Sequence, residues 1–338
     1  MPACNTEKEA SSGEPRRSTP YLLPSWVPGR ALDLYKTVVV AVQGACTGAD
    51  TAGAAYSPKE PGRILLNAVL AADLHTDGNT YRDRNVTLTK AFAGVSRSAD
   101  FDAYILAGDI TNSAAECEYV NLRAMLNLFR RGARVVPELG NHDSGGTSVG
   151  TAGEKPFSVA EARFRAFLRY CGIDSGWNYY ALEIKGFRFL VLGTEKMLND
   201  DADLSPAQLA WLDKELADAP AGKPVFVIAH QPPRGINGAD KPEACLGAQS
   251  GEAYAILKKH AAKGRTVLYI SGHMHRDFGE RSFENPAPGM YFLNLPSFLY
   301  NDGGGLGAAL EVYPDRLLIR PRNFIRGEWV CGEYCIEF

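Results

Sequence analysis

The chain lacks any apolar run long enough to cross a membrane: its most apolar stretches, residues 37–45 and 64–72, fall well short of the ~20 residues a spanning helix needs. The signature of a secretory signal is missing as well. Residues 1–20 are polar and rich in Ser, Glu and Pro, with no basic start leading into an apolar segment, and read as a disordered leader. There is little excess charge of either sign, because 36 Lys and Arg face 39 Asp and Glu for a net charge of −3. No basic stripe interleaved with aromatics stands out either, so neither nucleic acid nor an anionic membrane is predicted as a partner. A disulfide framework is also absent: seven cysteines, at 4, 46, 117, 171, 245, 331 and 335, are odd in number and scattered. That pattern suits a reducing compartment, so a cytoplasmic location is expected, and the Cys331/Cys335 pair is read as structural.

What is present is an ordinary folded composition, 45% hydrophobic and 22% charged over 338 residues, enough for one large α/β domain or two smaller ones. Residues 21–62 read as an irregular N-terminal extension broken by Pro24, Pro28, Pro58 and Pro61. A helix over 34–45, packed on the domain or on a membrane surface, is the alternative there. The main domain is placed at 63–325, followed by a C-terminal tail at 326–338. Within it, β-rich runs at 64–72, 103–107 and 134–138 alternate with helical segments at 83–97 and 114–130, a rhythm that implies βαβ crossovers and a largely parallel sheet. Runs at 179–184 and 187–192 flank Lys185-Gly186, which suits a hairpin and makes the sheet mixed. Ser205-Pro206 opens a helix, a strand at 225–229, a helix at 251–262 and a strand at 266–270 follow, and the run from Met290 reads as a β-meander.

Nearly every strand of this domain runs into a residue able to bind a metal. The first ends at Asp73-Leu74-His75, the next at Gly108-Asp109, then Gly140-Asn141-His142-Asp143, then His230, then Gly272-His273-Met274-His275. Ligands of open α/β sheets bind beyond the carboxyl ends of the strands, so residues some 200 positions apart in sequence are expected to converge. The chain has six histidines, and five of them lie in these motifs; His260, beside Lys258 and Lys259, is read as a solvated surface residue. Asp73 with His75, and His273 with His275, are two apart, which puts each pair on one side of an extended strand. Asp109 follows a glycine that permits a tight turn and can offer a carboxylate to two cations. Oxygen and imidazole donors without thiolate favour Mn, Fe, Zn or Mg over a structural zinc site, and a two-metal site suits phosphoester hydrolysis.

In order and complete, these motifs (DxH, GD, GNHD, H, GHxH) resemble the calcineurin-like metallophosphoesterase superfamily over residues 63–325. The resemblance implies a four-layer αββα sandwich with two mixed sheets. It implies one ion held by Asp73, His75, Asp109 and His275 and a second by Asp109, Asn141, His230 and His273, with Asp109 bridging; Mn, Fe or Zn are the metals expected. His142 is similar to the family's catalytic histidine, which contacts the phosphate and protonates the leaving oxygen, and Asp143 is read as orienting it. Asn112 stands where purple acid phosphatases carry a metal-binding Tyr, which argues against a purple tyrosinate–iron site. Asp143 and Leu139 depart from the Glu and Arg of Ser/Thr protein phosphatases of this superfamily, which disfavours that class. Arg234 and Asn112 are the candidates for substrate contact, with Arg276 beside them, while Asn79, Tyr81 and Arg82 are read as a solvated loop. The expected activity is a phosphodiesterase acting on a small diester such as a cyclic nucleotide, by attack of metal-bound hydroxide on phosphorus. A phosphomonoesterase is the alternative, ahead of a non-catalytic scaffold or a nuclease.

Overall fold

The computed structural model describes residues 29–46, 55–145 and 156–338. The leader at 1–20 lies outside these. Strands β1 (Leu66–Ala71), β2 (Ala103–Leu106) and β3 (Arg134–Pro137) are parallel and adjacent. β1 and β2 are buried throughout, as suits near-continuous apolar runs in the middle of a covered sheet. Helices α2 (Asp83–Ser98) and α3 (Glu116–Phe129) make the crossovers, and α1 (Gly29–Cys46) packs against both. After α4 (Phe157–Tyr170) the chain forms a hairpin from β4 (Tyr180–Ile184) and β5 (Phe187–Val191). Its two turn residues, Lys185 and Gly186, both have positive φ (51° and 78°), the twist that matches a tight hairpin.

Helix α5 (Pro206–Asp218) starts at Ser205, whose hydroxyl accepts a hydrogen bond from the Gln208 amide. β6 (Val225–Ile228), α6 (Ser250–Ala261), β7 (Val267–Ser271), β8 (Phe283–Ala287) and β9 (Met290–Asn294) follow. The chain closes with β10 (Leu306–Val312), β11 (Arg316–Asn323), β12 (Glu328–Trp329) and β13 (Tyr334–Glu337). One sheet has the order β12-β11-β10-β1-β2-β3, with β13 also on β11; the other has the order β4-β5-β6-β7-β9-β8. Both mix parallel and antiparallel pairs.

Alternation along the second sheet shows why two sheets and two helical layers form. Phe189, Val191, Phe226, Ile228, Leu268 and Ile270 join the core shared with the first sheet. Their neighbours Leu190, Leu192, Val225, Val227, Val267 and Tyr269 join a second core with Leu209, Leu212 and Leu216 of α5 and Leu257 of α6. A sheet apolar on both faces must be covered on both, which yields the αββα sandwich that the family resemblance implies.

Five sequence expectations are corrected. Residues 21–62 are not irregular throughout: residues 29–46 are helical, no proline falls inside that span, and Lys36 and Val40 are buried. The domain begins before 63, since the backbone amides of Lys59 and Glu60 donate to Glu311 and the Tyr313 hydroxyl. The 326–338 tail belongs to the sheet, where β13 pairs with β11 and buries Ile336. The run from Met290 is no single meander, because β9 lies in the second sheet and β10 and β11 in the first. His260 is likewise not solvated: it is 3% exposed, with Nε2 2.7 Å from Asp213 Oδ1, and so fastens α6 to α5.

Candidate metal centre

The carboxyl ends of the strands from both sheets meet at one edge of the sandwich. Asp73 and His75 follow β1, Asp109 follows β2, Asn141 and His142 follow β3, His230 follows β6, and His273 and His275 follow β7. Short parallel bridges Ala72–Ser297 and Leu139–Gly193 pin this edge. Asp73, His75, Asp109, His273 and His275 all adopt left-handed φ, between 43° and 71°, and they are five of the ten non-glycine residues that do so among the described residues. Such backbone is costly for a side chain with a Cβ and persists where the surroundings force it, which is a mark of functional sites. The turns also need close approach. A Cβ at Gly140 would lie 2.3 Å from the Asp109 amide nitrogen, and one at Gly108 would lie 2.4 Å from His230 Nδ1.

The side chains converge tightly. His275 Nε2 is 3.0 Å from Asp73 Oδ1 and 3.1 Å from His75 Nε2. Asp109 Oδ2 lies 3.2 Å from His230 Nε2, 3.8 Å from His75 Nε2 and 3.9 Å from His142 Nε2. Three donor groups, Asp73/His75/His275, His75/Asp109/His142 and Asp73/Asp109/His230, each fall within a 4.8 Å span and could hold a metal ion. His273 stands beside them, its ring 5.1 Å from that of His230 and its amide donating to Asp73 Oδ2. Buried and without a hydrogen-bond partner are Asn141 Oδ1 and His230 Nε2, two atoms that a cation would satisfy. The donor set therefore fits a hard or borderline divalent metal.

Backbone carbonyls set the outward orientation of these side chains. Ala107 O bonds His230 Nδ1 at 2.9 Å, Glu243 O bonds His273 Nε2 at 2.9 Å, and Asn199 O accepts from Asn141 Nδ2 at 2.9 Å. Each leaves the opposite donor atom for an ion, as outer partners of metal ligands do. His142 Nδ1 is held at 2.8 Å by the carbonyl of Asn112. Asp143 does not perform that task. Its carboxylate accepts instead from the Ile110, Thr111 and Gly140 amides and the Thr111 hydroxyl, at 2.6–3.0 Å, and so stitches the Asp109 turn to the Asn141 turn. Burial, and then the charge of Asp109, push Asp143 up to about 7.

Charge is distributed unevenly within the cluster. Burial pulls His75 down to about 4 against the opposing pull of Asp109 and Asp73, so it is neutral and has a lone pair to offer. Burial would raise Asp109, but His230 and His142 outweigh it and hold the carboxyl well below the ordinary range. Glu138, buried under the same turn, is pushed up to about 8, chiefly by burial.

Of the candidates for substrate contact, Asn112 is half-buried and engaged at both ends, its Oδ1 by Arg84 Nη1 at 2.7 Å and its carbonyl by His142. Arg234 is exposed and lines a separate pocket with Ile236, Ser250 and Tyr254. Arg276 is tied to the carbonyls of Asn237 and Gly238. Arg84 and Tyr300 were not found from sequence; Tyr300 lies tilted against both His75 and His275, at centroid distances of 5.4 and 5.5 Å. The orienting carbonyls had no sequence signal at all, since every residue carries one.

The family model described as calcineurin-like phosphoesterase matches residues 66–277, which contain all of these donors. The chain belongs to this family. It therefore falls among hydrolases of phosphoester bonds. Curated relatives include a probable cyclic nucleotide phosphodiesterase of Synechococcus sp., 27% identical over 219 residues, or 64% of this chain and 75% of that protein. The glycerophosphodiester phosphodiesterase of Enterobacter lignolyticus is 29% identical over 52% of this chain, and the match spans only 56% of that protein. The 3',5'-cyclic adenosine monophosphate phosphodiesterase of Escherichia coli K12 is 24% identical over 57% of this chain and 63% of that protein. Among solved structures, a purple acid phosphatase from yellow lupin seeds shares the fold at a TM-score of 0.56 and 14% identity, over 80% of this chain and 53% of that one. No described helix is long and apolar enough to cross a membrane.

Proposed function

We propose that the protein is a metal-dependent phosphodiesterase for small diesters, with two ions held by Asp73, His75, Asp109 and His275 and by Asp109, Asn141, His230 and His273. The observation that carries this reading is the place of Asp109, whose Oδ2 stands between His230 at 3.2 Å and His75 at 3.8 Å, one from each half of the cluster. Bound Mn, Fe or Zn ions would neutralise the phosphate and activate water there. The chain supplies the rest. Asp109 and Asp73 provide a buried anionic floor, whose charge bound cations would offset for an anionic substrate. His142, with Nδ1 tied to Asn112, presents Nε2 to the cluster as the atom that passes a proton to the leaving oxygen.

Diester preference is supported by relatives named for cyclic nucleotides and for glycerophosphodiesters. A cytoplasmic location is part of this reading, and Cys117, Cys171, Cys245, Cys331 and Cys335 are free thiols. The test is hydrolysis of bis-p-nitrophenyl phosphate beside p-nitrophenyl phosphate by metal-stripped protein reloaded with Mn, with Asp109→Asn as control. Turnover that needs metal, prefers the diester and vanishes in the control is expected. Preference for the monoester would overturn the diester assignment.

A further inference from the structure

Between His142 and His275 the rim of the cluster is formed by residues outside the metal-binding motifs. Arg84, projecting from α2, has its Nη1 on Asn112 Oδ1 at 2.7 Å and its Cζ 5.4 Å from the centre of the Tyr300 ring. Tyr300 in turn lies one ring-width from His75 and His275, yet 46% of its surface stays exposed. This turn is rigidly attached to the site itself: Ser297 Oγ donates to the Asp73 carbonyl at 2.8 Å, and Asn301 Nδ2 to the His275 carbonyl at 3.1 Å. A large aromatic ring left open to solvent, yet fixed in place by the very segments that carry Asp73 and His275, is a preorganised contact surface. Ordering it on binding costs little, because the turn is already held.

We propose that Tyr300 and Arg84 form a subsite for a planar aromatic substituent of the substrate, so that the enzyme selects nucleotide-type or aryl diesters over aliphatic ones. The proposal rests on the phosphodiesterase reading of the same site and refines it. A phosphate held at the cluster places its ester group within reach of this wall. The Tyr300 face offers stacking to any base, and Arg84, whose one hydrogen bond among the described residues uses a single N–H, has donors left for the base's acceptors. An aliphatic group such as glycerol has no π-face with which to use either.

The experiment compares kcat/KM of the Mn-loaded enzyme for cyclic AMP and for glycerophosphoethanolamine in the wild type, Tyr300→Leu, Tyr300→Phe and Arg84→Gln. Binding of adenosine 5'-monophosphate to the same proteins is measured by calorimetry. The aromatic-to-aliphatic ratio is expected to fall about tenfold in Tyr300→Leu through KM and to recover in Tyr300→Phe, with the nucleotide affinity falling in parallel. Arg84→Gln should lower the ratio in the same direction. Equal losses on both substrates would show a merely structural role for the pair and overturn the proposal while leaving the phosphodiesterase reading intact. If only monoesters turn over, the parent reading fails, and the same ratio taken with phenyl phosphate and glycerol phosphate decides the subsite. With no turnover at all, unchanged nucleotide binding in Tyr300→Leu overturns it.

Discussion

The two sheets contribute unlike halves to one site. The first supplies both carboxylates, the Asn141 amide, His75 and His142, at the ends of β1, β2 and β3; the second supplies imidazoles alone, His230, His273 and His275, at the ends of β6 and β7. The carboxylates thus lie on one layer and the other offers nitrogen donors only, and neither layer holds a complete donor set. The centre exists only because the sandwich docks the two edges, and the shared apolar core between the sheets is what holds them in register. Fold stability and metal affinity are therefore linked, since an ion that binds only the docked form stabilises that form.

The strongest way to break this asymmetry is to remove the shared carboxylate. Asp109→Asn should abolish turnover and lose both ions, whereas His230→Ala, which takes a donor only from the second sheet, should retain about one ion per chain; elemental analysis after dialysis distinguishes them. Equal loss in the two variants would deny Asp109 its bridging place. His142→Ala is expected to lower kcat on the order of a hundred- to ten-thousandfold with metal content preserved, since it deletes a proton-transfer group and no ligand. Phe226→Ala attacks the docking itself. Phe226 is fully buried and stacks on Phe189 at 4.7 Å, so its truncation should cost about 3–5 kcal/mol in denaturant unfolding and weaken metal binding from a distance of several residues.

The smallest effect concerns His260, the one histidine outside the site. Hydrogen bonds from Lys259 and then His260 lower the Asp213 carboxyl below its ordinary value. The stability it contributes is therefore present above the unfolded carboxylate pKa and is lost as pH falls through the lower folded value. Asp213→Asn should cost less than ~1 kcal/mol near neutrality, because the Asp213 carboxylate and its Lys259 partner stay partly open to solvent, and nothing in strong acid. Catalysis should not respond. A change in kcat there would contradict the separation of His260 from the five histidines at the strand ends.

The course of the chain and the donor list were legible because the signals are local. Short apolar runs between helical segments mark β1 to β3, Lys185-Gly186 marks the hairpin, Ser205-Pro206 marks the start of α5, and the strand-end motifs carry residue types that seldom occur together by chance. The misread residues depend on partners distant in sequence. His260 looked solvated beside two lysines, because Asp213, which buries it, lies on another helix. The tail at 326–338 looked detached, because a two-residue strand and a four-residue strand form only where β11 offers an edge. Asp143 looked like the partner of its neighbour His142, yet its side chain turns back to three amides and a hydroxyl, and a carbonyl from Asn112 takes the ring instead.

The sequence by itself determined the fold class, the order of the donors and the kind of chemistry, since strand periodicity and ligand type are properties of short segments. The tertiary structure alone decided which carbonyls aim His142, His230 and His273, that Asp143 is a clamp, and that Arg84 and Tyr300 stand at the rim of the site. Those are contacts between segments tens to hundreds of residues apart, through backbone groups that every residue shares, and only the docking of the two sheets brings them together.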